Sequence, residues 1–513
     1  MQRNRAVVIG AGVGGLVAAA ELAAAGFTVT VLERSAVPGG KLHAQHIAGR
    51  RIDVGPTVLT MREVFDDLFY RLGDRLENHV KLQAANVLAR HAWSADERLD
   101  LHADRERTLD AVGAFAGKDE ARRYAAFCAH AREIFTTLDQ PFMRAPNPSL
   151  LRLLTSGGVS QLARLTRIES FTTLWQALGR HFKDERLRQL FARYATYCGS
   201  SPYSAPGTLM LVAHAELSGV WCIEDGLYGL ALALVELGRR HGVSHRYDVE
   251  VSEVTRGARG IDGVRLADGE RIEADVVVCN ADAAAVAGGL FGADVQRAVP
   301  PLATPQRSLS ALTLALCART EGFSLAHHNV FFSTDYAREF DEILGRRRLP
   351  SAPTVYVCAQ DRGEHAVPPA PGGIERLFCI INAPPDGDRW LLNDADVARC
   401  RDAAFARLAQ CGLSVQHEPE ALMTATPVDY ERRFPASGGG LYGRSSHGWR
   451  ASFARPGVRS PIPGLYFAGG SVHPGAGLPM VALSGRLAAG CALADRRRAH
   501  GRGFFGQISH VTR

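Results

Sequence analysis

Three glycines and one acid near the start of the chain carry the first chemistry that can be read from it. Gly10, Gly12 and Gly15, with Gly14 added, form a G-x-G-x-x-G turn between the apolar run Ala6–Ile9 and the apolar stretch Leu16–Ala25. Glycine serves there in three ways: it makes the tight turn, lets backbone approach a pyrophosphate, and lets a helix pack closely on a strand. The helix opening behind the turn aims N–H groups and a partial positive charge at phosphate oxygens. Glu33 follows at close to the ~20-residue spacing of a carboxylate that takes a ribose hydroxyl. A chance glycine-rich turn would lack this strand, helix and acid together, so the stretch is expected to bind a dinucleotide.

Behind Glu33 and Arg34 lies the loop Pro38-Gly39-Gly40-Lys41. A glycine doublet alone is a plain loop, but directly after a ribose-binding acid it is expected to be a second clamp on the same ligand. Near the other end, Gly464–Met480 has the order strand, glycine loop, helix once more. An interrupted nucleotide domain with such a unit at each end differs from a simple nicotinamide dehydrogenase, whose nucleotide domain is usually continuous. Two helix N-termini aimed at one ligand suit flavin adenine dinucleotide (FAD). The first would take the pyrophosphate. At the last, backbone N–H groups near Pro479 and Met480 would stabilise negative charge on the ring as it accepts a hydride.

The remaining candidates for chemistry are sparse. His473 lies in the late glycine loop, and Arg193, Tyr194, His214 and Glu216 are polar residues of the middle region. An isolated histidine in a loop is more often a hydrogen-bonding fastener than a proton carrier. His214 with Glu216 could read a substrate hydroxyl, since rejecting a substrate that lacks the group needs a buried polar partner; a structural pair or a solvated helix face is the plainer reading. The ten cysteines include no C-x-x-C pair, so no metal site is expected and the thiols are read as small apolar fillers in a reducing compartment.

At 513 residues the chain is too long for one core. Its 46% hydrophobic and 22% charged residues are those of an ordinary globular protein. A formal charge of +6 without a clustered lysine field argues against nucleic acid. No signal peptide is expected ahead of the first strand, and the uncharged run Ser460–Gly485 holds too much Gly and Pro for a spanning helix.

The elements divide as follows. Residues 1–75 form the first part of the cofactor domain, including hairpin strands at His43–Ile47 and Arg51–Val54 and a helix at Glu63–Leu72. Residues 76–223 are mainly helical, with a hairpin at Val87–Trp93 and Leu99–His102 and a helix at Asp119–Leu138. From Gln161 to Phe182 apolar Leu162, Leu165, Ile168, Phe171, Trp175 and Leu178 recur at helical spacing, with Arg164, Arg167 and Arg180 off that face. Such a stripe fits a core-facing helix or one lying in a lipid interface. Residues 224–304 resume the cofactor domain, with an antiparallel sheet turning at Asp268-Gly269 and the buried strand Ala274–Asp282. Residues 305–425 are a mixed-sheet second part of the substrate domain, 426–500 close the cofactor domain, and 501–513 are a basic tail. The fold class expected is α/β: a discontinuous Rossmann-like FAD-binding domain that resembles those of amine-oxidase and GDI-like flavoproteins, with an inserted helical and mixed-sheet substrate domain.

Taken together, Gly10–Gly15, Glu33-Arg34, Pro38–Lys41, Asp53–Thr57, Ala274–Asp282, Thr426–Phe434 and Gly464–Met480 resemble the bacterial phytoene-desaturase family of carotenoid dehydrogenases. Val58–Phe69, Leu190–Tyr203 and Ala215–Leu230 are most similar to its hydroxyneurosporene desaturase branch, the 1-hydroxycarotenoid 3,4-desaturases. The resemblance covers essentially the whole chain. It implies that Glu33 binds the adenosine ribose, that Arg34 and Lys41 flank the phosphate-side loop with Gly39 and Gly40, and that Gly55, Pro56 and Thr57 lie by the flavin ring. Val251 would meet the adenine edge through its backbone, and Gly470, Ser471, Pro479 and Met480 would close over the ribityl chain and ring. One departure matters: many flavoproteins have an aspartate where this chain has Ser471, so binding there must rest on backbone donors and hydroxyls.

What this implies is an FAD-dependent desaturase that introduces a C=C bond into an acyclic carotenoid, by hydride transfer to flavin and then proton loss. Oxygen or a quinone would reoxidise the flavin. Alignment matters more than a strong base in such a reaction, and no Ser/His/Asp constellation is expected. A phytoene desaturase of the same family, a flavin amine oxidase or protoporphyrinogen oxidase relative, and a non-catalytic lipid-escort protein are the alternatives. A long apolar substrate lives in membrane. The chain is therefore expected to be cytoplasmic and peripherally bound to the inner face of a bacterial membrane, through a helical mouth rimmed by Arg144, Arg152, Arg164 and Arg167.

Overall fold

The computed structural model describes residues 4–146, 168–363, 369–370, 372–389 and 393–508. Three distant pieces of chain build one five-stranded sheet in the order Leu465–Phe467, Val276–Cys279, Arg5–Ile9, Thr28–Leu32, Ser244–Arg246. Every pairing in it is parallel. The first strand lacks the apolar–polar alternation of a half-exposed strand because both of its faces are covered: Ala6, Val7, Val8 and Ile9 are all buried. The helix Val13–Ala24 packs along the C-terminal helix Leu478–Ile508, and Tyr228–Arg240 packs against it as well.

The antiparallel sheet expected around Asp268-Gly269 is present as Val251–Gly257, Gly260–Leu266 and Arg271–Glu273. The hairpin near residue 50 is present as Ala44–Ile47 with Arg50–Asp53. The helices expected early in the chain lie at Glu63–Arg71 and Lys118–Leu138. In the latter, Tyr124, Phe127, Ala131, Ile134 and Leu138 are buried at the three- and four-residue spacing of a single apolar face.

The two inserted regions join in a way the order of the chain does not announce. Val87–Ala92 of the first lies parallel to His328–Phe331 of the second. One sheet then runs Leu413–Gln416, Ser310–Gly322, Ile374–Ala383, Val355–Ala359, His328–Phe331, Val87–Ala92, Arg98–His102. The helices between 105 and 217 share a core with Val330, Phe332 and Tyr336, so both insertions form one substrate domain.

The stripe expected from Gln161 to Phe182 falls partly on residues outside those described, among them Leu162, Arg164, Leu165 and Arg167. In the described part it is not one helix. Thr173 caps a new helix, Leu174–His181, through a capping box with Gln176. Ile168 and Leu178 are buried, whereas Phe171 precedes the cap and is 84% exposed. Arg152 also lies outside the described residues, and Arg144 is paired with Asp139 at 2.8 Å and Glu63 at 3.7 Å. Leu478–Arg498 is long and apolar enough to cross a membrane by length and composition, but more than half of it is buried in the fold. The C-terminal helix runs to Ile508, through much of the segment read as a tail.

One buried acid gives the substrate domain a pH dependence. Glu339 is 1% exposed; Thr354 Oγ1 donates to its Oε2 at 2.6 Å, while Oε1 has no partner. Burial pushes its carboxyl up to about 7. The unfolded chain releases this proton near the ordinary glutamate value and the folded chain near neutrality, so stability falls as pH rises between the two. Over that window the loss is on the order of 3 kcal/mol. Glu339→Gln removes the charged state, so relative to the parent the variant gains thermal stability at pH 8 and not at pH 4. Melting curves at both pH values check this; a constant offset between them would contradict it.

Candidate FAD site

The parallel sheet delivers its strand ends to one crevice. Gly10, at φ +94°, ends the first strand, and its N–H donates to Leu32 C=O at 2.8 Å. Gly12 is the N-cap of the helix Val13–Ala24 and has no side chain to bond the first-turn amides, which leaves that helix end suited to an anion. Glu33, at the end of the second strand, is buried. Its Oε2 accepts from Ala11 N–H at 2.7 Å and its Oε1 from Ser35 N–H at 2.9 Å. Both bonds aim the carboxylate, and each oxygen keeps a further lone pair for a hydroxyl donor.

The doublet Gly39-Gly40 lies against this turn. Gly39 N–H donates to Ala11 C=O at 2.8 Å, and Gly39 bridges Gly12. A Cβ on Gly40 would come 3.3 Å from Gly12 Cα. Arg34 and Lys41 face another way: Arg34 Nη2 donates to Arg433 C=O, and Lys41 Nζ donates to Leu441 C=O at 2.8 Å. Burial lowers the Lys41 pKa, with Asp282 opposing. In this structure both cations tie the first segment to residues 432–441.

The early and late glycine turns touch. A Cβ on Gly14 would lie 2.9 Å from the Gly469 amide nitrogen and 3.2 Å from Val481 C=O. Asn280, at the end of Val276–Cys279, fits between them. A Cβ on Gly14 would also meet its Oδ1 at 2.8 Å, and that Oδ1 is buried without a partner. Ser471 Oγ accepts from Ala283 N–H at 2.9 Å, and Gly470 C=O accepts from the buried Arg455 at 2.9 Å. The hydroxyl that stands in for the usual aspartate thus fastens the late loop to the segment after Asn280. Pro479 and Met480 lie in the first turn of the C-terminal helix. Val251 opens its strand close to the acid: Val249 N–H donates to Glu33 C=O at 2.9 Å.

Gly55 packs on the backbone of Lys41 and Leu42. Pro56 and Thr57 line a cavity with Asp53, Trp221, His327 and Gln360, and Thr57 Oγ1 accepts from Tyr356 at 2.7 Å.

His473 is buried, its Nε2 donates to Phe142 C=O at 3.0 Å, and Phe142 meets it edge-on at 5.1 Å. Burial lowers its pKa to about 4, so it is neutral at pH 7. It fastens the late loop to the π-turn Asp139–Met143. His214 and Glu216 do not meet. His214 packs edge-on to Phe135 at 4.9 Å and lies 3.5 Å from Ser218 Oγ. Glu216 is 2% exposed and accepts from Tyr194 at 2.6 Å and Tyr197 at 2.8 Å. Arg193, also buried, donates to Tyr197 at 3.0 Å. Burial and the neighbouring carboxylate raise the Tyr194 pKa well above the ordinary phenol value.

Sequence reasoning named Arg193, Tyr194 and Glu216 but missed Tyr197 and Asn280. The signal for Asn280 was available: a polar residue ending the parallel strand next to the glycine turn lies where open α/β sheets bind ligands.

The donor set fits FAD. A pre-aimed carboxylate suits a ribose, an uncapped helix end suits a pyrophosphate, and the buried, unpartnered Asn280 Oδ1 sits where the two glycine turns meet. Comparisons with known proteins agree. The family model described as flavin containing amine oxidoreductase matches residues 13–493. The chain is 48% identical over 491 residues to a hydroxyneurosporene desaturase of Rubrivivax gelatinosus, covering 95% of this chain and 93% of that one. It is 44% identical to a hydroxyneurosporene desaturase of Cereibacter sphaeroides, covering 96% and 98%. Its fold is similar to an oxidoreductase from Methanosarcina mazei, with a TM-score of 0.61 at 16% identity over 94% and 99% of the two chains.

Proposed function

The chain belongs to the flavin-containing amine oxidoreductase family, and from that premise we propose that it is an FAD-dependent carotenoid desaturase. It introduces the 3,4 double bond of a 1-hydroxylated acyclic carotenoid. The full-length likeness to hydroxyneurosporene desaturases supports the substrate class, and the meeting of Gly14 with Gly469 in one cradle is the observation that carries the cofactor.

FAD, when bound, supplies the hydride acceptor. The residues of this chain orient and exclude. Glu33 would hold the ribose end, the Gly12 helix terminus would hold the pyrophosphate, and the amides at the start of the C-terminal helix would stabilise charge at the ring. The substrate carbon that loses hydride is left cationic and conjugated with the polyene, which acidifies the neighbouring C–H. That proton passes to water or a weak base, and the electron pair of its C–H bond becomes the new π bond. Alignment at about 3–3.5 Å is therefore the main demand on the site. Oxygen or a quinone takes the electrons onward.

The protein works on the inner face of a bacterial membrane, bound peripherally. Phe171, 84% exposed, packs at a tilt against Trp449 at 5.5 Å, and Arg450 lies over the same indole at 4.8 Å; an aromatic pair beside a cation suits a headgroup boundary. Flotation with anionic liposomes is expected to carry the protein upward at low salt, and high salt or Phe171→Ser to weaken this. No association at any salt would contradict it.

Expression in cells that make different acyclic carotenes, followed by pigment chromatography, tests the substrate. Pigments already hydroxylated at one end are expected to gain one double bond there. Conversion of colourless phytoene instead would assign a general desaturase.

A further inference from the structure

The cavity beside Thr57 is lined by Cys222 and His327, and the buried His328 follows directly behind them. Cys222, from the strand Trp221–Ile223, and His327 and His328, at the start of His328–Phe331, each offer a donor atom within 4.8 Å of the others. We infer that Cys222, His327 and His328 bind a borderline-to-soft divalent cation of the Zn2+ class on the wall of this cavity.

The hydrogen bonds behind the imidazoles point the same way. His327 Nδ1 lies 2.8 Å from Arg362 C=O, so Nδ1 carries the proton and Nε2 keeps a lone pair. His328 Nδ1 lies 2.7 Å from the Tyr356 hydroxyl, whose own proton goes to Thr57 Oγ1 at 2.7 Å. Nδ1 of His328 must then donate as well, and its Nε2 is buried with no partner in a residue 2% exposed. Two imidazoles whose outer nitrogens are fixed by a carbonyl and a hydroxyl are oriented as metal-binding histidines are.

The donor types select the ion. One thiol and two imidazoles favour zinc over magnesium or calcium, which take oxygen. Cys358 Sγ, 3.5 Å from His327 Nε2, stands beside the group, and the Asp53 carboxylate lines the same cavity. The Cys222 thiolate offsets part of the cation's charge. The donors are spread somewhat wider than a tetrahedral zinc site, with Zn–N ≈ 2.0–2.1 and Zn–S ≈ 2.3 Å, so they close inward by about 1 Å on binding. Cys222 and His327 are half-buried, which leaves the ion a route in.

The test uses untagged, FAD-loaded protein treated with chelator, mixed with a small excess of Zn2+ and gel-filtered, with metal counted by mass spectrometry. One equivalent is expected to remain on the parent, with retention falling at least tenfold in Cys222→Ser and in His327→Gln while both variants stay yellow. Co2+ in place of Zn2+ is expected to give tetrahedral d–d bands to the red of the flavin, lost in Cys222→Ser. A parent that retains no metal, or variants that retain as much as the parent, would overturn the site.

Discussion

Gly14→Val is expected to give a folded protein that purifies colourless. The added Cβ alone would stand 2.9 Å from the Gly469 amide nitrogen, 3.2 Å from Val481 C=O and 2.8 Å from Asn280 Oδ1. Two of those three are backbone atoms of the late segment, fixed by the parallel pairing of Leu465–Phe467 with Val276–Cys279 and by the bond from Gly469 N–H to Ser484 Oγ at 2.8 Å. They cannot yield as a side-chain tip would, so the valine drives the two glycine turns apart. A site that uses both turns then loses geometry at the pyrophosphate and the ring together. We expect FAD affinity to fall by at least ~100-fold, about 2.7 kcal/mol. The ratio of flavin to protein absorbance and an FAD titration of the apoprotein measure it, with circular dichroism as the control for folding. A yellow Gly14→Val protein of parental affinity would show that the turns do not share one ligand.

Glu216→Ala carries the second large effect, on stability. Glu216 accepts from both Tyr194 and Tyr197, and Arg193 reaches it through Tyr197. Arg193, Tyr194 and Glu216 are buried and Tyr197 is half-buried, and Arg193 Nε already lacks a partner. Removing the carboxylate leaves two phenols without acceptors and a guanidinium without its balancing charge. Breaking a buried ionic network from one side costs roughly 3–5 kcal/mol, whereas replacing both ends with apolar groups costs much less. Denaturant unfolding is therefore expected to show a lowered midpoint for Glu216→Ala and partial recovery in the double variant Arg193→Met/Glu216→Met. A loss below ~1 kcal/mol in the single variant would mean that the network is not closed as described.

Local signals carried most of what was legible in the sequence. The glycine turn, its strand and helix, Glu33, and the hairpin at residues 44–53 are each specified within a few residues, and all are present. Partnership between distant segments was not legible. The alternation of Val87–Ala92 marks a strand but cannot name His328–Phe331 as its neighbour, so the two insertions read as separate regions when they share a sheet. The stripe through Phe171 failed for a different reason: Thr173 and Gln176 form a capping box that restarts the helix, and an apolar period counted across a cap mixes two faces. His214 and Glu216 are neighbours in sequence yet lie on different sides of a short helix, because positions two apart do not face each other. Cys222 with His327 and His328, and Glu216 with Tyr197, are products of tertiary packing that no spacing rule captures.

Arg34 and Lys41 show the same limit. The resemblance puts them beside the phosphate-side loop, and the long-range bonds they make to the carbonyls of Arg433 and Leu441 are not written in their spacing. They hold residues 432–441 against the first segment.

The most direct measurement is an anaerobic half-reaction. Protein carrying oxidised FAD is mixed with a 1-hydroxylated acyclic carotenoid in liposomes, and the flavin band and the pigment are followed together. Bleaching of the flavin, matched by one equivalent of carotenoid longer by one conjugated double bond, is the result predicted here. A flavin that stays oxidised with carotenoid and bleaches with a primary amine would contradict it.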